Sequence, residues 1–171
     1  MTPSPKTILT CRCGEVVFEL TGKPIMVSVC HCDDCQRASR ELEALPGAPK
    51  ILDPAAGTAY VLHRRDRAVC TKGAERLEDH TIEREKDTKR VVAGCCQTPM
   101  YLDFAPGHWQ SWFRDRWPEP APRIQMRVQT RFAPADAVFP DAVPRSKTYP
   151  LGFIFRLLGS RMGYRVPEAR Q

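Results

Sequence analysis

Eight cysteines in 171 residues, seven of them in three tight groups, restrict what this chain can become more than any other feature. Cys11-x-Cys13, Cys30-x-Cys32-x-x-Cys35 and Cys95-Cys96 are local clusters, and Cys70 stands apart. A disulfide wants Cα atoms about 5.5 Å apart with facing Cβ vectors, which residues one or two positions apart rarely achieve. Metal chelation has the opposite need: several thiolates delivered to one point by short turns. The N-terminal stretch Met1-Thr-Pro-Ser-Pro-Lys-Thr-Ile-Leu lacks the apolar region of a secretory signal, so a disulfide framework is a poor fit. The clusters read as metal ligands in a reducing compartment, and the expected location is the cytoplasm.

A mass of 19.4 kDa is a one-domain length whose core can stand without staples, and the expectation is a single domain over 1–171. With 42% hydrophobic and 27% charged residues, wholesale disorder is excluded. The longest strongly apolar run, Leu151 to Leu158, is interrupted by Arg156 and is far short of a bilayer span. The charge of +6 is uneven: residues 1–120 hold 17 Lys+Arg against 17 Asp+Glu, and residues 121–171 hold 9 against 3. Seven thiolates on two divalent metals would reduce the total to about +3. A basic tail of this kind more often aids solubility than binds nucleic acid, so a nucleic-acid partner is disfavoured.

Hydrophobic patterning predicts a mainly β fold with two short helices. Residues 1–10 read as a frayed arm. From Cys11 to Leu20 the chain alternates, with Val16, Phe18 and Leu20 on one face, as a half-buried strand does. Ile25 to Val29 reads as a second strand running into the Cys30 knuckle, and Gln36 to Leu45 as a helix ended by Pro46-Gly47. Further strands are expected at Ala59–His63, Arg76–Glu83, Lys89–Ala93, Met100–Phe104 and Arg123–Gln129, the last with Ile124, Met126 and Val128 inward. The mixed-sign run from Glu83 to Arg90 reads as an exposed loop. Eight of the sixteen prolines fall between Pro118 and Pro167, so 118–171 reads as a basic, irregular wrap. Within it, Leu151 to Met162 is expected to form a closing helix docked through Leu151, Ile154, Phe155, Leu158 and Met162. Its arginines also allow a membrane-surface reading.

Zinc suits the cysteines because four-thiolate sites are commonly built from two short hairpins. Cys11 and Cys13 with Cys96 and Cys95 would make a closed structural site tying the N-terminal strand to the middle of the chain. Cys30, Cys32 and Cys35 are left over. Three protein ligands and one open position is the arrangement of a working zinc, and a thiolate-rich metal favours an outside sulfur over water activation. Alternatively a fourth ligand from Cys70, His63, His80 or His108 closes a second structural site, or all the cysteines share one metal.

At these residues the chain becomes recognisable. Cys11-Arg-Cys13-Gly-Glu-Val-Val-Phe-Glu-Leu20 and Cys30-His-Cys-Asp-Asp-Cys35-Gln-Arg-Ala-Ser39 resemble the glutathione-dependent formaldehyde-activating enzyme family, which includes centromere protein V. Gly94-Cys-Cys-Gln-Thr-Pro-Met100 sits where that family carries C-x-x-C-G-[TS]-x-L. A bacterial branch of the superfamily is more similar still, in Leu52-Asp53, Gly57-Thr58, the Lys72–Leu77 stretch and the C-terminal Phe-Ile-Phe-Arg-Leu-Leu. The resemblance implies a compact zinc-binding fold of packed antiparallel sheets, with one structural zinc and one exchangeable zinc. It implies structural roles for Cys11, Cys13 and Cys96, and an active-site role for Cys30, Cys32 and Cys35. It also implies carbon–sulfur bond formation or cleavage in the adduct of glutathione with formaldehyde. Three positions depart from the pattern: the first cysteine of C-x-x-C falls at Ala93, so Cys95 must stand in. The following glycine is Gln97, and Arg40–Leu45 replaces a small, apolar segment.

The expected function is that of a carbon–sulfur lyase acting on a small thiol or thiol–aldehyde adduct at the three-cysteine zinc. His31, inside the knuckle, is the candidate catalytic residue as a proton shuttle for an attacking thiol; its other reading is a supporting or packing role. Asp33 and Asp34 read as turn residues, Arg37 as a solvated helix residue or a carboxylate contact, and Cys70 as a small buried hydrophobe. Trp109, Trp112, Phe113 and Trp117 read as core or pocket wall. The competing reading is a non-catalytic zinc-stabilised module that engages a protein or nucleic acid through its basic last third.

Overall fold

The computed structural model describes residues 4–83 and 85–165. Among these residues ten strands form two sheets. In the first, β1 (Lys6–Thr10) pairs with β2 (Val17–Thr21), which pairs with β5 (Ala68–Lys72), all antiparallel. The second sheet contains β3 (Met26–Cys30), β4 (Thr58–Arg64), β6 (Leu77–His80), β7 (Thr88–Ala93), β8 (Thr98–Phe104), β9 (Trp109–Phe113) and β10 (Met126–Val128). Its order is β10-β3-β4-β9-β8-β7-β6, antiparallel except for the parallel β10–β3 pair. Among the described residues there are two α-helices, α1 (Asp33–Glu43) and α2 (Leu151–Gly159), and four short 3-10 turns.

The larger sheet is buried on both faces, because its strands carry apolar residues at consecutive positions. On β4, Val61 faces the small sheet while Tyr60 and Leu62 face the helices; on β9, Trp112 and Phe113 divide in the same way. Between the sheets lie Leu9, Val16, Phe18 and Leu20 against Val91, Tyr101 and Trp112. Phe18 meets the rings of Tyr101 and Trp112 edge-on at centroid distances of 5.7 and 4.9 Å. On the opposite face, Met26, Tyr60, Phe113 and Val128 pack with Leu42 of α1 and Phe153 of α2. The expected inward face Val16, Phe18, Leu20 is therefore correct.

Several expectations are corrected. The arm at 1–10 is β1 from Lys6 onward, held because Leu9 is fully buried and five residues pair with β2; residues 1–3 lie outside those described. The run from Glu83 to Arg90, whose Arg84 also lies outside them, is not all loop. It enters β7 at Thr88, and Arg90 is only 1% exposed. Arg127, expected to face outward between Met126 and Val128, is buried to the same degree. The docked face of α2 is also reversed. Phe153 is buried and Leu157 partly so, whereas Phe155 is 68% and Met162 82% exposed, with Leu151, Ile154 and Leu158 exposed too. The helix is apolar nearly all round, so periodicity could not choose its inner face; the hollow beside Tyr60 and Cys30 takes Phe153.

Candidate metal centre

The turn between β1 and β2 presents Cys11 and Cys13, and the turn between β7 and β8 presents Cys95 and Cys96. Their four Sγ atoms lie within 4.8 Å of one another. Cys11–Cys13 is 3.5 Å, Cys13–Cys95 3.4 Å, Cys11–Cys95 3.8 Å and Cys95–Cys96 3.9 Å. A tetrahedron with metal–sulfur bonds of about 2.3 Å has edges of about 3.8 Å, so the cage fits one ion. The spacings are too long for a disulfide bond, which is about 2.05 Å. Cys95 thus enters the cluster from the position next to Cys96, and the turn allows it. Gln97 there adopts φ 51°, the left-handed conformation that glycine takes most easily, and its amide donates to Gly94 O at 3.1 Å. Burial tends to raise the Cys96 thiol, but the Thr98 hydroxyl at 3.0 Å and Cys13 bring it down to about 6. The Val16 N–H donates to Cys11 Sγ at 3.3 Å. The cluster ties the small sheet to the large one.

The second cluster is built at the end of β3 and the start of α1. Cys30 ends the strand, Cys32 is the helix N-cap and Cys35 lies in the first turn, with the Cys35 N–H donating to Cys32 Sγ at 3.4 Å. Helix N-termini favour anions, and Asp33 and Asp34 also occupy this first turn. Cys30 and Cys32 sulfurs are 3.4 Å apart, and the three Sγ atoms lie within 4.8 Å of one another. Three thiols this close cannot all ionise unaided. Hydrogen bonds from Cys30 and Cys35 push Cys32 down to about 3, whereas bonding to Cys32 pushes Cys30 up to about 12. Cys35 is raised further by the same contacts and by burial. A divalent cation would let all three ionise, which is the chemistry that such a donor set suits.

None of the four residues considered as a fourth ligand joins this cluster. Cys70 is on β5 in the other sheet, with its thiol 3.2 Å from Lys72 O. His63 Nδ1 is 3.2 Å from Arg64 O, His80 Nε2 is 3.1 Å from Glu41, and His108 Nε2 is 2.8 Å from Ser160 Oγ. Instead the three cysteines line a hollow of about 370 Å³ between the large sheet and α2. Tyr60, Leu62, Leu102, Phe104, Trp109 and Phe153 form much of its wall. Trp109 therefore lines this hollow, while Trp112 is core.

Residues 6–48 match the family described as glutathione-dependent formaldehyde-activating enzyme. Those residues, about a quarter of the chain, are similar to that family. The match spans Cys11, Cys13, Cys30, Cys32 and Cys35, and ends well before Cys95 and Cys96, which the fold alone brings to the first cluster. The crystal structure of a Rhodobacter sphaeroides protein is similar at 15% identity and a TM-score of 0.47, over 81% of this chain and 98% of that one. No curated protein matches the chain.

His31 lies within the matched segment, fully buried, and both of its ring nitrogens are engaged. Nδ1 lies 3.0 Å from Ala55 O and must donate there, which leaves Nε2 to accept from Arg127 Nη1 at 3.1 Å. Burial lowers its pKa, in keeping with a neutral ring. Arg127 also reaches Asp53 at 2.6 Å and grips both Asp141 carboxylate oxygens at 3.0 and 2.9 Å. Gln36 adds a bond to His31 O at 2.7 Å. This network stands behind the knuckle, and sequence reasoning missed it. No local signal marked it, because Arg127 occupies an outward position of the alternation expected for β10. Arg37, on the exposed helix face, pairs with Glu41 at 3.0 Å.

Proposed function

We propose that the protein is a zinc enzyme that forms or breaks a carbon–sulfur bond in a small thiol or thiol–aldehyde adduct, working in the reducing cytoplasm. The observation that supports this reading is the grouping of three sulfurs on the wall of a hollow, in a chain that also gathers four sulfurs in a second cluster. A zinc ion held by Cys30, Cys32 and Cys35 supplies a soft acceptor for substrate sulfur, and one held by Cys11, Cys13, Cys95 and Cys96 supplies a structural tie. The remaining steps fall to the chain. In cleavage the C–S bond breaks, its electron pair leaves on sulfur, and the adduct hydroxyl loses its proton as the carbonyl forms. Glu85, the carboxylate among the described lining residues, is assigned that proton. The Ser28, Tyr60 and Ser111 side chains lie along the same wall for the adduct oxygen. His31 acts through position: its two ring bonds and Gln36 fix the peptide between Cys30 and Cys32.

Cys32→Ser tests this reading. It should abolish thiol binding and leave the fold intact, and loss of the whole fold would count against it. A second reading, a non-catalytic module that binds a partner through its basic last third, draws on the exposed Leu151, Phe155 and Leu158 beside Arg161. Salt-dependent retention on heparin, lost on deleting residues 145–171, would favour it; no retention at low salt would remove it.

A further inference from the structure

We infer that the thiol accepted by the hollow is apolar and uncharged, an aryl- or alkyl-methanethiol or its aldehyde adduct, and not a charged peptide thiol. This rests on the reading of the three-cysteine hollow as a thiol site. A space of about 370 Å³ is near the lower end of small-molecule pockets, which run from about 300 to 1,000 Å³. Its wall beyond the sulfurs is mostly hydrocarbon and aromatic, from Leu62, Leu102, Phe104, Trp109, Phe153 and Leu157. No lysine or arginine is among the described lining residues. Apart from the thiolates, the charged side chain among the described lining residues is Glu85, which is negative.

Glutathione brings two carboxylates and an ammonium. In this hollow each carboxylate would lose water beside Glu85 and the sulfurs, with no lysine or arginine among the described lining residues to replace it, and burying an unpaired charge is costly. Arg90, the cation paired with the lining residue Glu85, is 1% exposed. Its charge acts on Cys32, Cys35 and Tyr60 from within β7, so it offsets the sulfurs and not a ligand carboxylate. An apolar thiol meets none of these penalties. Its ring or chain buries against Trp109 and Phe104, which lie 5.9 Å apart at 44°, and its adduct needs only one hydroxyl partner.

The test uses the full chain loaded with cobalt(II), whose absorption reports sulfur entering the coordination sphere. Phenylmethanethiol and glutathione are titrated separately. Phenylmethanethiol should bind about 100-fold more tightly, the advantage expected from burying one aromatic ring. Ile154→Lys, at the exposed rim of the hollow, should narrow that ratio at least about tenfold by giving a carboxylate a cation nearby. Equal or tighter binding of glutathione to the native chain would overturn the apolar class while leaving the thiol site standing. No spectral response to either thiol, with cobalt bound, would overturn both.

Discussion

Arg127→Met removes the cation at the centre of the network behind the knuckle. The side chain is 1% exposed and holds Asp53 and Asp141, themselves 22% and 26% exposed, together with His31. Methionine keeps most of the stem volume, so packing changes little and the loss is chiefly electrostatic. Removing one member of a buried ion pair costs about 3–5 kcal/mol. Here water reaches part of each carboxylate, which brings the expected loss to about 2–3 kcal/mol. For a domain of this size that is a fall in Tm of about 4–12 °C. The assay is urea unfolding of the metal-loaded protein, paired with Asp141→Asn in a double-mutant cycle. Asp141→Asn should destabilise the native chain clearly and the Arg127→Met chain hardly at all. Arg127→Lys should recover only part of the loss, because an ammonium cannot grip Asp141 with two parallel bonds. An Arg127→Met chain within about 0.5 kcal/mol of the native one, or additive effects in the cycle, would refute the reasoning.

Stability should also fall as pH drops from 7.5 to 5.5. His63 and His108 are held below their ordinary pKa by burial, so the unfolded chain binds more protons than the folded one below about pH 6.5. Their contribution is complete above the unfolded value and is lost as pH falls toward the folded one; Tm against pH measures it, and His63→Phe should flatten the slope. Gly57→Ala should destabilise by about 1–3 kcal/mol, because its Cβ would lie 2.5 Å from both His31 Cε1 and Val29 Cγ1. Thermal unfolding checks this, and an unchanged Tm would mean that the backbone at Gly57 does not brace His31. Gln97→Val should cost about 1–2 kcal/mol, since a β-branched residue tolerates φ 51° poorly. The same scan, followed by metal retention in mild chelator, reads its effect on the first cluster.

Both cysteine clusters were legible in the sequence because chelation demands short spacings, and those survive whatever the fold does around them. The alternation of Val16, Phe18 and Leu20 was legible for a similar reason: it stays within one strand. What could not be read depended on partners far along the chain. Arg127 finds Asp53 across 74 positions, and nothing local to β10 announces that bond. β9 carries two tryptophans and a phenylalanine on both faces of a doubly covered sheet, which removes the alternation that would have marked it. In α2, apolar residues on every side left the choice of inner face to the shape of the hollow. The same is true of the hollow itself, whose walls come from seven or more separate segments of chain.

The most direct test of the central claim is metal content per chain with free-thiol titration before and after mild chelation. The account predicts two zinc ions, one of which leaves readily, exposes about three thiols and takes its sulfur ligation from Cys30, Cys32 and Cys35, so that Cys32→Ser lowers the content to one. Metal that leaves only when the chain unfolds, or a content unchanged by Cys32→Ser, would contradict it.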